Sequence, residues 1–504
     1  MVNHFHLSRS VPAAIGAALF FYIFLGGSVS IRTAPSVLFF SLCGACVLIG
    51  LLRTLPILIS TEYQRHVRYI SDLIVLFALG LCMGLIALTM LQSRYFASPL
   101  QKEDINTVQL QLTTDLRTSQ SGVLFGQGKV AFCGNARGTK ASSRGVINIL
   151  VPASSGALLG LAGLGSSLTI MGSFANDTAD NRMNLQPPLF IAGTITKIEA
   201  PHGLQNFRFF VRRTILAQFQ NKEWGGYASA LLLGVKDDLE NEVSELYRKV
   251  GSSHVLALSG MHLSIIATLL AFVLRRPLGI RMASLLSLII LSIYVGLAGF
   301  PPSLVRSLIM YMLMWFMTYR GISGSLVSSI ALSFLLQLFI DPLGMTSLSA
   351  MLSYMALAGI ALLSPLVFEA ARGIIPRFIL AGISTSLGAF MFTAPLVAAV
   401  FGVLYPIGII LGSLLGSLAS FIMIGSIIYL LVSLSIPSLS PFVGAIIGRL
   451  YQVHIAVLQI GSLVSVELAN LSWKLVTICG LALAALIVYG QYRGTKNRTI
   501  STFD

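Results

Sequence analysis

The chain has 504 residues, 55% of them hydrophobic and only 10% charged, with a formal net charge of +15. A soluble protein of this size carries about a quarter charged residues; with a mean hydropathy of +0.85, a polytopic membrane protein is expected instead. The basic excess is explained first by the Lys and Arg that collect in cytoplasmic loops; a polyanionic partner is the alternative.

A membrane span needs about 20 apolar residues. Runs at 11–30, 35–52 and 70–91 predict three spans in an N-terminal region, 1–91. The first run is read as a retained span rather than a signal peptide, because two more follow it closely. Arg9 before it, and Arg53, Arg65 and Arg68 after the second run, place the N-terminus in the cytoplasm. Cys43 and Cys46 spell CxxC, but inside a span, where Cys behaves as a small hydrophobe. No disulfide framework, metal site or cofactor site is readable.

A polar insertion, 92–203, then falls outside the cytoplasm. Its stretches INTVQLQLTT, GVINILVPA, SSLTIMGSF and PLFIAGTITKI predict about five strands of a small all-β domain. An OB-like barrel and a sandwich both fit. Lys129, Arg137, Lys140 and Arg144 accompany Phe132, and cations beside aromatics suit single-stranded nucleic acid. Cys133 is the one cysteine in the insertion.

Region 204–253 opens with LQNFRFFVRRTILAQFQNKEW. It predicts an amphipathic helix on the membrane surface. Phe207, Phe210, Val211, Ile215 and Phe219 lie on one side, against Arg208, Arg212 and Arg213. Two more helices follow, joined by a turn at Lys236-Asp237-Asp238.

Region 254–435 predicts spans at 254–274, 282–300, 303–319, 324–340, 345–368, 378–401 and 407–433. In region 436–504, 472–490 is a further span. The segment 440–465, interrupted by Arg449 and His454, is expected along the interface. The fold class is thus a polytopic α-helical membrane protein of about eleven spans, with the β domain inserted after the third. Arg275-Arg276, Arg320, Arg372 and Arg377 fall on the cytoplasmic side on this count.

After residue 254 the acids are Asp341, Glu369, Glu467 and Asp504, against twelve Lys and Arg. A cation path would place carboxylates along its length; this bias suits an anion or polyanion path, although positive loops on the cytoplasmic side account for most of it. Arg306, near the outer end of its span, marks a pathway or a partner, or snorkels to headgroups. The stretch HVLALSGMH puts His254, Ser259 and His262 in the outer half of one span. As a helix it forms a polar stripe. The stripe could line a pore or hydrogen-bond between helices. Ser259 beside His262 could also be a hydrolase pair, though GxSxG is absent.

Four stretches resemble the ComEC/Rec2-type DNA-uptake channel proteins of bacterial natural competence. They are ALLLGVKDDLENEVSELYRKVGSSHVLALSGMHLSII, YVGLAGFPPSLVRSLIMYML, DPLGMTSLSAMLSYMALAGIALLSP and SLGAFMFTAPLVAAVFGVLYPIGIILGSLLG. Their order and spacing agree across residues 225–435. The resemblance implies a conduit moving single-stranded DNA into the cytoplasm across the bacterial inner membrane, not an enzyme. His254, Ser259, Gly260, His262, Ser303, Arg306, Asp341 and Ser353 match signature positions and, by implication, shape or line the path. Partners so implied are membrane lipids, a periplasmic DNA receptor, a cytoplasmic translocase and single-strand-binding proteins. Many members carry a metallo-β-lactamase-like domain; no HxHxDH run occurs in these residues, so a nuclease is expected on a separate protein. Members often hold a cysteine pair in the insertion, where this chain has Cys133 alone. A transporter of small anions is the remaining alternative.

Overall fold

The computed structural model describes residues 14–18, 74–87, 96–118, 123–152, 162–175, 187–320, 326–345 and 347–469. The spans expected at 35–52 and 472–490, and most of that at 11–30, lie outside the described residues. Among the described ones the chain divides into two compact units. The first runs to Thr214 and adds Ile293–Phe300 and Leu308–Ser347; the second holds Ile215–Ser292, Pro301–Ser307 and the chain from Leu348 on.

In the first unit, helix α1 (Ile74–Ala87) precedes the β domain. Its strands are β1 (Ile105–Leu112), β2 (Arg117–Thr118), β3 (Leu124–Asn135), β4 (Lys140–Ser142), β5 (Val146–Val151), β6 (Ser167–Phe174) and β7 (Leu189–Glu199). Alternation in INTVQLQL sends Val108, Leu110 and Leu112 inward and leaves Gln109 and Gln111 exposed, as a strand with one dry face requires. Strand β1 pairs with both β6 and β3, and β5 pairs in parallel with β7. Those pairings close the ring β1-β3-β5-β7-β6. The sheet is therefore a small OB-like barrel rather than a sandwich. Its core gathers Ile105, Val130, Ile147, Ile149, Val151, Leu168, Ile170 and Phe190. Cys133 lies in that core, 1% exposed, and acts there as an apolar filler.

Helix α2 (Leu204–Phe219) follows. One residue departs from the expected division into an apolar and a basic side. Phe207 and Phe210 are exposed, whereas Arg208 is buried. Arg208 Nη1 and Nη2 donate to the two oxygens of Asp115 at 3.0 and 2.6 Å, and Arg212 Nη1 donates to the same carboxylate at 2.7 Å. Pairing offsets much of the cost of burying a guanidinium.

The second unit is helical. It includes α3 (Gly225–Leu233), α4 (Asn241–Lys249), most of α5 (Gly260–Ala298) and the first residues of α6 (Pro302–Tyr319). Helix α7 (Leu326–Ile340) belongs to the first unit. The second continues with α8 (Leu348–Leu362), α9 (Ser364–Ala370), α10 (Arg377–Phe401), α11 (Gly408–Ser435) and α12 (Ser440–Val464). Helix α5 is broken at Gly279 (φ 71°, ψ 167°), two residues after Pro277, which gives the two segments expected. A Cβ on Gly359 of α8 would stand 2.0 Å from the Gly388 carbonyl of α10; small residues let helices in lipid approach this closely.

Among the described residues, five helices are long and apolar enough to cross a membrane: Gly260–Ala298, Leu348–Ala370, Arg377–Phe401, Gly408–Ser435 and Pro437–Val464. The last covers the segment 440–465 and is long and apolar enough to span, where the sequence predicts a segment along the interface. The polar residue His454 does not break the helix. It is buried, with Nε2 2.5 Å from Tyr247 Oη and 3.1 Å from Tyr227 Oη. Helix α6, expected as a span, is not among the five; Arg306 lowers its apolar character.

Candidate functional site

The stretch HVLALSGMH is not one helix. Ser253–Val255 form a 3-10 turn, and α5 begins only at Gly260. The helical stripe expected of His254, Ser259 and His262 is therefore corrected. Serine favours the N-cap, where its conformation is not helical, and it starts the helix here. The Ser259 backbone N–H donates to His262 Nδ1 at 3.1 Å, and Ser259 Oγ lies 3.1 Å from the same nitrogen. This is capping-box logic with histidine in the place of glutamate. An Nδ1 that accepts leaves Nε2 to carry the ring proton. His262 is 0% exposed, and its Nε2 has no hydrogen-bond partner.

Arg306 lies one turn into α6. It is 4% exposed, and its Nε and Nη1 also lack partners. Its guanidinium carbon stands 5.4 Å from the centroid of the Tyr354 ring, a cation–π distance. The start of α6 packs on the start of α5: a Cβ on Gly260 would meet Ser307 Oγ at 2.6 Å and Arg306 Nη2 at 3.8 Å. Ser303 is buried with its Oγ 3.2 Å from Ser349 Oγ of α8. Gly260, Ser303 and Arg306 thus come together in the second unit; His262 stands two residues along α5 from Gly260, and Ser353 lies half-buried on α8. Arg306 and His262 each hold buried N–H donors with no acceptor to meet them. Such donors favour an anion over a cation.

Two further signature residues have their own surroundings. His254 is exposed, and a Cβ on Gly412 would be within 3.9 Å of His254 Cε1, Ser252 Oγ and Ser386 Oγ. Asp341 belongs to the first unit. Its backbone carbonyl accepts from Met345, and its carboxylate folds over Gly344, so it caps a one-turn helix.

On the barrel, the expected basic and aromatic residues gather along β3 and β4. One register row crosses the outer surface as Ser142, Phe132, Gln109, Thr169 and Lys197; the next carries Lys129, Gln111 and Ser167. Phe132 is 46% exposed and Lys129 is exposed. Arg137 and Lys140 flank the β3–β4 turn, which Asn135 Oδ1 closes by accepting from the N–H groups of Arg137 and Thr139. Arg144 borders a cleft of about 290 Å³ shared with Ser98, Ser142 and Ser143. Arg213 is exposed on α2. Arg208 and Arg212, expected as free cations, are committed to Asp115 instead and leave this surface. Asp115 is a residue that composition and motif reading missed. Burial would raise its carboxyl; the hydrogen bond from Arg208, the charges of Arg212 and Arg208, and the Leu164 N–H outweigh burial and hold it at about 2.

Among the described residues, no group of three or more His, Cys, Asp or Glu could hold a metal ion. The family model that matches is that of the competence proteins, over residues 231–495. The ComE operon protein 3 of Bacillus subtilis (strain 168) is 28% identical over 211 residues, 39% of this chain and 26% of that protein. No solved structure matches.

Proposed function

The chain belongs to the competence protein family, and from that membership we propose that it is a bacterial inner-membrane conduit carrying single-stranded DNA into the cytoplasm during natural transformation. One observation supports this most: Arg306 and His262 hold buried N–H donors without acceptors, in a stretch of chain nearly empty of carboxylates. Each unmet buried donor costs about 1–3 kcal/mol, more when charged. A cation would find few carboxylates in this part of the chain. A phosphodiester offers only oxygen acceptors and meets every such donor without regard to base.

On this reading the barrel lies outside the cytoplasm and captures the strand, with bases on Phe132 and phosphates on Lys129, Arg137, Lys140 and Arg144. The exposed Leu204, Phe207 and Phe210 of α2 sit at the headgroup boundary. The strand then passes Gly260, His262, Ser303 and Arg306. A periplasmic DNA receptor would hand it over; a cytoplasmic translocase and single-strand-binding proteins would take it up. A hydrolase built on Ser259 and His262 has less support, because Nε2 lacks the third group that orients a catalytic base.

The test is delivery of labelled DNA into cells carrying Arg306→Ala or His262→Ala, with membrane levels of each variant measured. The expected result is DNA held outside and at least about a hundredfold less inside, since each variant deletes a charge-assisted contact. Normal entry in both variants would remove these residues from the path. Normal entry after deleting the whole gene would end the conduit reading.

A further inference from the structure

Asp115 accepts four hydrogen bonds: two from Arg208, one from Arg212, and one from the Leu164 N–H at 2.9 Å. Arg208 reaches further. Its Nε donates to the Gly296 carbonyl at 2.8 Å, in the last turn of α5. One guanidinium therefore ties together the loop after β1, the helix α2 and the C-terminal end of α5. A cation is favoured at that end, where carbonyls lack partners.

The tie closes on the LAGF stretch. The Gly299 N–H returns to the Gly296 carbonyl and the Phe300 N–H to the Val295 carbonyl. Gly299 has φ 89°, and a Cβ there would stand 2.9 Å from Arg208 Nη2 and 3.4 Å from Asp115 Oδ2. Only glycine fits both the conformation and the space. Phe300 sits at φ 55°. A bulky residue keeps this left-handed conformation only where its surroundings fix it. All these contacts lie within the first unit.

We infer that Asp115, Arg208 and Gly299 form a positioning joint, which locks the barrel to the segment Gly296–Phe300, the last turn of α5 and the residues that lead on to α6. Arg212 balances charge and is not part of the lock. The barrel's catch is thereby delivered at a fixed place on the chain. The effect on DNA entry rests on the conduit reading; the lock itself does not.

The experiment uses the full chain with Asp115→Asn, Arg208→Lys, Gly299→Ala and Arg212→Lys. Hydrogen exchange at the Gly296–Phe300 amides reads the lock. DNA held outside and DNA delivered inside read its use. Asp115→Asn, Arg208→Lys and Gly299→Ala are expected to speed exchange by about tenfold or more. They should leave outside binding at the wild-type level and cut entry by about tenfold. Arg212→Lys keeps the charge and stays near wild type, whereas Arg208→Lys loses the fork and the Gly296 bond. Unchanged exchange in Asp115→Asn overturns the joint. Equal behaviour of Arg208→Lys and Arg212→Lys overturns it in favour of charge balance. Faster exchange with normal entry overturns the positioning role. Should Asp115→Asn fail to reach the membrane, Arg208→Lys and Gly299→Ala carry the test. If deleting the gene leaves entry normal, the conduit reading fails and exchange alone decides the joint.

Discussion

Two buried arginines in this chain live under opposite terms. In the first unit Arg208 faces a carboxylate and a helix-end carbonyl. In the second, Arg306 is as deeply buried and has an aromatic face but unpaired Nε and Nη1. A satisfied charge holds structure. An unsatisfied one makes structure worse until something arrives to meet it. The pair of environments therefore separates what the molecule is built on from what it works with.

The sharpest way to break this contrast is to remove the acceptor. Asp115→Asn leaves Arg208 buried beside a weaker partner, and unfolding should become easier by about 3–5 kcal/mol, read from thermal or denaturant melts in micelles. The same carboxylate gives the next largest effect, through pH. Its folded value, about 2, lies below the ordinary value of 3.8. Its contribution is therefore complete above about pH 4 and is lost as pH falls through about 2. Melts of wild type and Asp115→Asn should run parallel at neutral pH and converge in that acid window by about 2 kcal/mol. Melts that stay parallel there would show that Asp115 is not the group titrating.

Much of this was legible beforehand, though unevenly. The period-two pattern of INTVQLQL gave the strand and its faces. It could not give closure, because that depends on β1 having two neighbours. The helix start at Gly260 was written in Ser259-Gly260, but hydrophobicity alone ran the span back to His254. His454 looked like an interruption in 440–465 because its partners, Tyr227 and Tyr247, lie more than 200 positions away in the chain. Asp115 carried a signal that was passed over: Arg208 and Arg212 stand four apart, on one helix face, and two cations there ask for an acid.

Two smaller effects sharpen the contrast. Phe132→Ala should weaken binding of oligothymidylate to the full-length protein by about tenfold, the loss of one stacked base, without changing the melt. An equal loss in melting would mean that Phe132 serves the barrel rather than a ligand. Arg306→Met should do the reverse of Asp115→Asn. Replacing an unmet buried charge by an apolar chain of similar length should stabilise the fold by about 1 kcal/mol while abolishing DNA entry. A destabilised Arg306→Met would place Arg306 with Arg208, among the residues the structure is built on.

The break at Gly279 bears on how the chain is made. An unbroken helix of 39 residues would run about 58 Å, nearly twice the hydrocarbon depth of about 30 Å. Cut at Gly279, each half matches that depth. On the two spans expected from the sequence, the halves would partition into lipid as a pair during synthesis, with Arg275, Arg276 and Arg281 retained together on the side from which they came. Biogenesis thus acquires a checkpoint in mid-helix: a Gly279→Leu chain, forced toward a straight rod, should stall at insertion before any question of DNA arises.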